Sequence, residues 1–114
     1  MKEIKNNNDI NNGFSVILFM TPNCVPCKSM KKVLEEMESS HSDKATFYAV
    51  NTEENEKLAR KYNIRSVPTT VFKNGKDIKD RFAGFIENVD LENKLMNLLF
   101  DFGAESDDFM DLGF

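Results

Sequence analysis

The feature that most constrains this fold is a join. The apolar run Val16-Ile17-Leu18-Phe19-Met20 leads through Thr21-Pro22-Asn23 to Cys24 and Cys27, and a helical pattern leads out. Residues 14–20 are apolar almost throughout, as befits a strand covered on both faces. From Cys27 onward Met30, Val33, Leu34 and Met37 recur at helical spacing, with Lys28, Lys31, Lys32, Glu35, Glu36 and Glu38 on the other faces. A buried strand that runs into a helix needs a sheet with that helix packed over it. The join also sets the first thiol at the helix start, where backbone N–H groups point outward and the dipole favours negative charge. A thiol there ionises more readily, and the thiolate is the species that attacks disulfides.

Cys24 and Cys27 are the only cysteines. Cys24 precedes the helix, whereas Cys27 opens its apolar stripe, so Cys24 is the expected nucleophile and Cys27 the resolving thiol. In that scheme Cys24 forms a mixed disulfide with substrate and Cys27 releases the product by closing the ring. Pro26 falls in the first turn, where it costs no hydrogen bond and stiffens the loop. The helix also has Lys28, Lys31 and Lys32 early and Glu35, Glu36 and Glu38 late. That order opposes the macrodipole and favours a thiolate at Cys24; the alternative is an ordinary solvated face. A structural zinc site needs four ligands, and two Cys with a single His41 fall short without a second chain, so no metal is expected.

The remaining pattern alternates strand and helix. Residues 2–5 suggest a short strand, and the Asn-rich stretch 6–12 has little core-forming power. Ser39-Ser40-His41-Ser42-Asp43 reads as a loop, and Thr46–Asn51 as the next strand. Asn51 with Glu54 resembles a capping box for a helix near 53–61, with Leu58, Ala59 and Tyr62 as its buried stripe. Thr69–Lys73, Asn74-Gly75 and Ile78–Phe85 read as a hairpin with a type I′ turn. A last helix is expected from about Val89, capped by Asn88, with Leu91, Leu95, Leu98, Leu99 and Phe102 on one side. The sum is an α/β sandwich whose early strands are parallel and whose last is antiparallel.

A chain of 114 residues with 40% hydrophobic content is one domain's worth of core. The formal charge is −4. Asp101, Glu105, Asp107, Asp108 and Asp111 fall in residues 101–114 without any Lys or Arg, so the body is near neutral and the end is acidic. A nucleic-acid binder would want a basic face. No stretch approaches the ~20 apolar residues of a membrane span, and Met1–Asn8 lacks the apolar core of a signal peptide. The expected setting is therefore the cytoplasm, a reducing compartment in which a Cys pair is more often catalytic than structural.

Phe19-Met20-Thr21-Pro22-Asn23-Cys24-Val25-Pro26-Cys27-Lys28 resembles the active-site segment of the thioredoxin family. Val50-Asn51-Thr52, Tyr62-Asn63-Ile64-Arg65-Ser66-Val67-Pro68-Thr69, Phe72-Lys73-Asn74-Gly75-Lys76 and Ala83-Gly84-Phe85 match in order, so the similarity covers about residues 14–100. The resemblance implies a thioredoxin fold, a central mixed sheet of four to five strands flanked by helices, ending in a β-hairpin and a C-terminal helix. It implies a protein-disulfide reductase without a cofactor, acting on disulfide-containing client proteins and recharged by a reductase of the thioredoxin-reductase type, as a monomer. It places a cis Pro68 opposite the cysteines, leaving the Val67 backbone free to pair with an extended substrate peptide. The implied substrate surface comprises Pro22, Asn23, Val25, Pro26, Val67, Pro68, Thr69 and Gly84, with Gly84 allowing close backbone approach.

The chain departs from the family pattern at informative places. Asn23 replaces the usual Trp before the first Cys, and Val25 replaces the usual Gly between the two. Leu18 stands where a buried Asp assists proton transfer at the resolving thiol, and Ala49 where that Asp has a Lys partner. The expected domain is 1–102, followed by an acidic–hydrophobic tail, 103–114. With Phe109, Met110, Leu112 and Phe114 set among carboxylates, the tail is similar to acidic, Phe-ended tails of single-stranded-DNA-binding proteins and ribonucleotide reductase small subunits. It is expected to solubilise the chain, to dock a partner, or to fold back on the domain's own apolar groove. The competing function is a non-catalytic binding subunit of the same fold that holds its partner by the groove or the tail.

Overall fold

The computed structural model describes residues 1–104. Its order is β1 (Lys2–Glu3), a single 3-10 turn (Asn7–Asp9), β2 (Phe14–Met20), α1 (Val25–His41), β3 (Thr46–Asn51), α2 (Glu56–Lys61), β4 (Thr69–Asn74), β5 (Asp77–Ala83) and α3 (Asn88–Ala104). The strands form one mixed sheet in the order β1-β3-β2-β4-β5. β3 is parallel to both β1 and β2, β4 is antiparallel to β2, and β5 is antiparallel to β4. The antiparallel direction therefore enters at β4, one strand earlier than the sequence pattern suggests.

β2 lies at the centre and alternates its side chains between two cores. Val16 and Leu18 join Met30, Val33, Leu34 and Met37 of α1 and Leu91 and Leu95 of α3 on one face. Ile17 and Phe19 join Tyr48, Val50, Val71, Leu58 and Tyr62 on the other. Full burial on both sides explains the nearly unbroken apolar run.

The Asn-rich stretch does more than its composition suggests. Ile10 is buried, and Asn11 anchors the segment to the sheet. The Asn11 backbone N–H donates to the Tyr48 hydroxyl at 3.0 Å, its Nδ2 donates to Thr46 Oγ1 at 2.8 Å, and its Oδ1 accepts from Gly13 N–H at 2.9 Å. Asn7 Oδ1 accepts from the Tyr62 hydroxyl, which in turn accepts from Lys73 Nζ at 2.7 Å. Tyr62 thus lets the ammonium of Lys73 lie in a site only 7% exposed.

Four local expectations are corrected. α1 continues through His41 where a loop from Ser39 was expected, because His41 is buried with Nδ1 against the Met37 carbonyl. Asn51 does not cap α2. Its Oδ1 accepts from Glu53 N–H and its carbonyl from Glu54 N–H and Asn55 Nδ2, an upstream turn that delays the helix to Glu56. The hairpin centres on Gly75-Lys76, not Asn74-Gly75. Asn74 pairs with Asp77, which leaves Gly75 and Lys76 as the two turn residues, and Gly75 at φ +62° with no positive φ at Lys76 excludes type I′ and fits type II′. Asn88 is the first residue of α3, and its Nδ2 ties the helix to Glu36 of α1 at 2.7 Å.

α3 is joined to the sheet edge by Lys94, whose Nζ lies 2.6 Å from Asp80 Oδ2 on β5. Burial pushes the Asp80 carboxyl upward, but the Lys94 hydrogen bond, the Arg81 N–H and the Lys94 charge together hold it below its ordinary value. α3 is described through Ala104, so positions 105–114 of the expected tail lie outside the described residues.

Two outcomes follow from these contacts. Asn11→Ala should lower stability by about 1–2 kcal/mol, read as a shift in the urea midpoint, because it strips hydrogen bonds from an otherwise loop-like segment. Because the folded Asp80 value is depressed, its ion pair stabilises the protein above pH ~4 and is lost as pH falls through the folded value. Asp80→Asn should therefore destabilise at pH 7 by less than about 1 kcal/mol, both partners being about a third exposed, with the difference from the parent closing as pH falls through the depressed folded value.

Candidate active site

β2 ends at Met20, whose carbonyl accepts the Thr52 N–H at 2.9 Å, so the end of the central strand is fastened to the segment after β3. Thr21, Pro22 and Asn23 then turn the chain, and Cys24 serves as N-cap of α1. Its carbonyl accepts the first helical hydrogen bond, from Lys28 N–H at 3.1 Å, and its sulfur accepts from Cys27 N–H at 3.1 Å. A sulfur here fills the place usually taken by a Ser or Asp oxygen, using a donor the helix would otherwise leave without an intrahelical partner. Pro26 sits within this turn and removes no hydrogen bond that the helix could have made.

Cys24 and Cys27 are joined by a disulfide, with their Cα atoms 5.1 Å apart. Their environments differ as their places on the helix require. Cys24 is half-buried, whereas Cys27 is 0% exposed and begins the buried stripe. Outside them, Pro22, Asn23 and Pro26 are exposed, and Val25 is 72% exposed. Val25 and Pro26 between the thiols, and Pro22 before them, therefore present apolar surface to solvent. Lys28 and Lys32 are also exposed, and among the described residues neither they nor Lys31 forms an ion pair. α1 has no acid in its first turn.

The segment before β4 supplies a second wall. The Val67–Pro68 peptide bond is cis. Pro68 is buried, and its carbonyl accepts Gly84 N–H at 2.8 Å. Gly84 adopts φ +92°, a conformation L side chains rarely take, although an added Cβ would meet nothing within 4 Å. Its glycine is therefore required by backbone direction and not by crowding within the chain. Val67 makes no backbone hydrogen bond among the described residues, while the Thr69 hydroxyl is engaged by the Ser66 carbonyl at 2.7 Å. Arg65, Ser66 and Val67 border a hollow of about 240 Å³ with Thr52, Ala59 and Ile64.

On the sheet face that α1 covers, the strand register sets a row of side chains. Leu18 is in register with Ala49 on β3 and with Thr70 on β4, and Thr70 with Phe82 on β5. Leu18 and Thr70 are 0% exposed and Ala49 is 3% exposed. From β3 to β5 the row carries no ionisable group and Thr70 is its single polar side chain; Glu3 of β1, in register with Ala49 at the sheet edge, is exposed. Sequence reasoning passed over this threonine because Thr69-Thr70 reads as ordinary strand composition. Its signal was a second hydroxyl on an otherwise apolar strand face.

A thioredoxin family model matches residues 2–97. The chain is 37% identical over 78 residues to thioredoxin 1 of Synechococcus elongatus, covering 68% of this chain and 72% of that protein. It is 31% identical over 84 residues to the chloroplastic thioredoxin M4 of Arabidopsis thaliana, of which it spans 44%. Deadhead, the germline-specific thioredoxin of Drosophila melanogaster, superposes with a TM-score of 0.76 at 27% identity, covering 86% of this chain and 99% of that one.

The chain belongs to the thioredoxin family. Its Cys24–Cys27 pair is a CxxC disulfide of the thiol–disulfide oxidoreductase type, placed on the mixed five-stranded sheet of a thioredoxin fold. Coverage differs among the relatives: the chain spans less than half of the chloroplastic thioredoxins and nearly three quarters of the Synechococcus protein. After reduction, the difference in burial should be measurable directly. Brief treatment with iodoacetamide under native conditions should label Cys24 at least tenfold faster than Cys27, with peptide mapping as the readout.

Proposed function

We propose that this thioredoxin reduces disulfides of client proteins, with Cys24 as attacking thiolate and Cys27 as resolving thiol. The observation that carries the reading is the disulfide set at the start of α1, with one sulfur half-buried and the other enclosed. The Cys24 thiolate attacks one client sulfur, forming a mixed disulfide and expelling the other client sulfur as a thiolate that takes up a proton. Cys27 then attacks Cys24 as its own proton leaves. The Cys24–Cys27 bond forms, the mixed disulfide breaks, and the client departs with both sulfurs reduced. Two electrons pass from the dithiol to the client, and an external dithiol reductase of the thioredoxin-reductase type restores them.

Geometry supports a peptide client. Pro22, Asn23, Val25 and Pro26 form the exposed rim, and Val67 offers unpaired backbone groups for an extended segment, a short β-augmentation. Gly84, held against Pro68, keeps that approach free of a side chain. We place this activity in the cytoplasm on chemical grounds, since a dithiol must be kept reduced to act as a reductant. Residues 103–114 would add a docking element that raises the local concentration of one client.

Cys24→Ser should abolish insulin reduction coupled to a dithiol donor, to below about 1% of the parent rate. Cys27→Ser should retain the first attack and accumulate a mixed disulfide with a model client, visible on a non-reducing gel. Full biological activity in a Cys24→Ser strain would overturn the enzymatic reading in favour of a binding subunit.

A further inference from the structure

Thr70 is unusual among the buried polar groups. It is 0% exposed, and its Oγ1 has no hydrogen-bond partner among the described residues. A buried hydroxyl without a partner is costly, so a partner in another state of the protein is the natural place to look. The topology brings one candidate to the same end of the sheet. Thr70 lies on the sheet face that α1 covers, in register with Leu18, two residues before Met20 ends the strand that leads to the cysteines. α1 starts from that end of the sheet, and Cys27 is the first residue of its buried stripe.

We propose that the Thr70 hydroxyl is the hydrogen-bond partner of the Cys27 sulfur once the Cys24–Cys27 disulfide has opened. In the disulfide form the Cys27 sulfur is bonded to Cys24 and is a weak acceptor, which leaves the hydroxyl unpaired. Reduction turns that sulfur into a thiol or thiolate enclosed by apolar groups. The thiolate needs a donor, because burial disfavours the charged form. Ala49, Leu18 and Phe82 in the same row have none to offer, and neither have Met30 and Leu34 on α1 or Leu91 and Leu95 on α3. The ionisable groups on the elements packed here are already directed elsewhere or lie outside. Asp80 of β5 is held by Lys94 of α3, His41 and Glu92 approach each other at the far end of α1, Glu38 holds the amino terminus, and Glu3 of β1 with Lys28, Lys32, Glu35 and Glu36 of α1 is exposed.

A hydroxyl cannot take away the Cys27 proton for good; it lowers the cost of the thiolate while the proton leaves with the departing client sulfur. Cys27 then attacks Cys24, the intramolecular bond forms, and Thr70 loses its partner again. The hydroxyl therefore favours the dithiol over the disulfide, and it makes the couple less reducing than it would be without it.

The assignment rests on the dithiol chemistry proposed above, but its test does not depend on client turnover. Thr70→Val keeps the shape and removes the hydroxyl; Thr70→Ser keeps the hydroxyl. In the disulfide form Thr70→Val should melt at the parent temperature or higher, since it deletes an unpaired buried polar atom. Its equilibrium with glutathione should shift about tenfold toward the protein disulfide, which is about 30 mV toward a more reducing couple. The Cys27 thiolate fraction near neutral pH should fall by a similar factor, with Thr70→Ser close to the parent on both counts. In the parent protein, the Thr70 carbon signals in NMR should follow pH with the Cys27 midpoint in the dithiol form and ignore pH in the disulfide form.

Thr70→Val leaving both equilibria unchanged, Thr70→Ser shifting as far as Thr70→Val, or Thr70 signals indifferent to Cys27 titration would each overturn the assignment. The NMR measurement needs no variant to fold. A parent protein that shows these Thr70 effects but reduces no client disulfide would instead count against the proposed function alone.

Discussion

Everything at the catalytic end hangs on where β2 stops. Its central position buries both faces, so its register is held by two independent cores, and a one-residue slip would exchange Ile17 and Phe19 for Val16 and Leu18 on both sides. Such a strand delivers its last residue to a defined point. Thr52 fastens that point by taking the Met20 carbonyl, and the turn that follows leaves Cys24 as the residue that must cap α1. The asymmetry between the two sulfurs is then a consequence of helix geometry. An N-cap side chain lies at the open end of the helix, whereas a residue three positions on faces inward when the stripe begins there.

The sequence was most readable where burial leaves one pattern available. The apolar run of residues 14–20 and the strand at Thr46–Asn51 coincide with β2 and β3, because strands near the middle of a sheet have no polar face. The Cys24–Cys27 pair was legible for a related reason: it lies where an unambiguous strand meets an unambiguous helical period. Readings failed where polar side chains choose among local partners. Asn51 has the spacing of a helix cap but satisfies an earlier turn, and Asn74-Gly75 has the composition of one hairpin turn, but Asn74 pairs with Asp77 as the last residue of β4. Asn11 looked like filler because its composition says nothing about the Tyr48 hydroxyl and Thr46, which only the fold brings within reach. Such hydrogen bonds have no period in sequence, so they have no signature to read.

Thr70 belongs to the same class of silent residue. Leu18 and Ala49 were already conspicuous as losses of charge from the family pattern, and the sheet register shows why those positions go together: they are direct neighbours. Register then adds the third member from β4, a strand distant in sequence. Replacing a charged pair by two apolar side chains removes the need to keep two ionisable groups in a low-dielectric site, where they are costly unless well paired. It also removes any acid that could exchange a proton with a buried thiol. A neutral hydroxyl in the same row is the least expensive polar group that still offers a hydrogen bond.

The charges of α1 fit this economy. α2 has Glu56 in its first turn and Arg60 and Lys61 in its last, an order that complements the helix dipole. α1 has no acid in its first turn, has exposed Lys28 there instead, and keeps Glu35, Glu36 and Glu38 for its later turns. Each unfavourable placement costs a few tenths of a kcal/mol at an exposed site, which a helix with a fully buried stripe can absorb. An acid in the first turn would have helped the helix, but it would also have set a negative charge beside the sulfur proposed to carry one. With no acid among Leu18, Ala49, Thr70 and Phe82, the helix N-terminus is what this end of the fold offers the thiolate proposed at Cys24, and the enclosed Cys27 is left with the hydroxyl proposed as its partner.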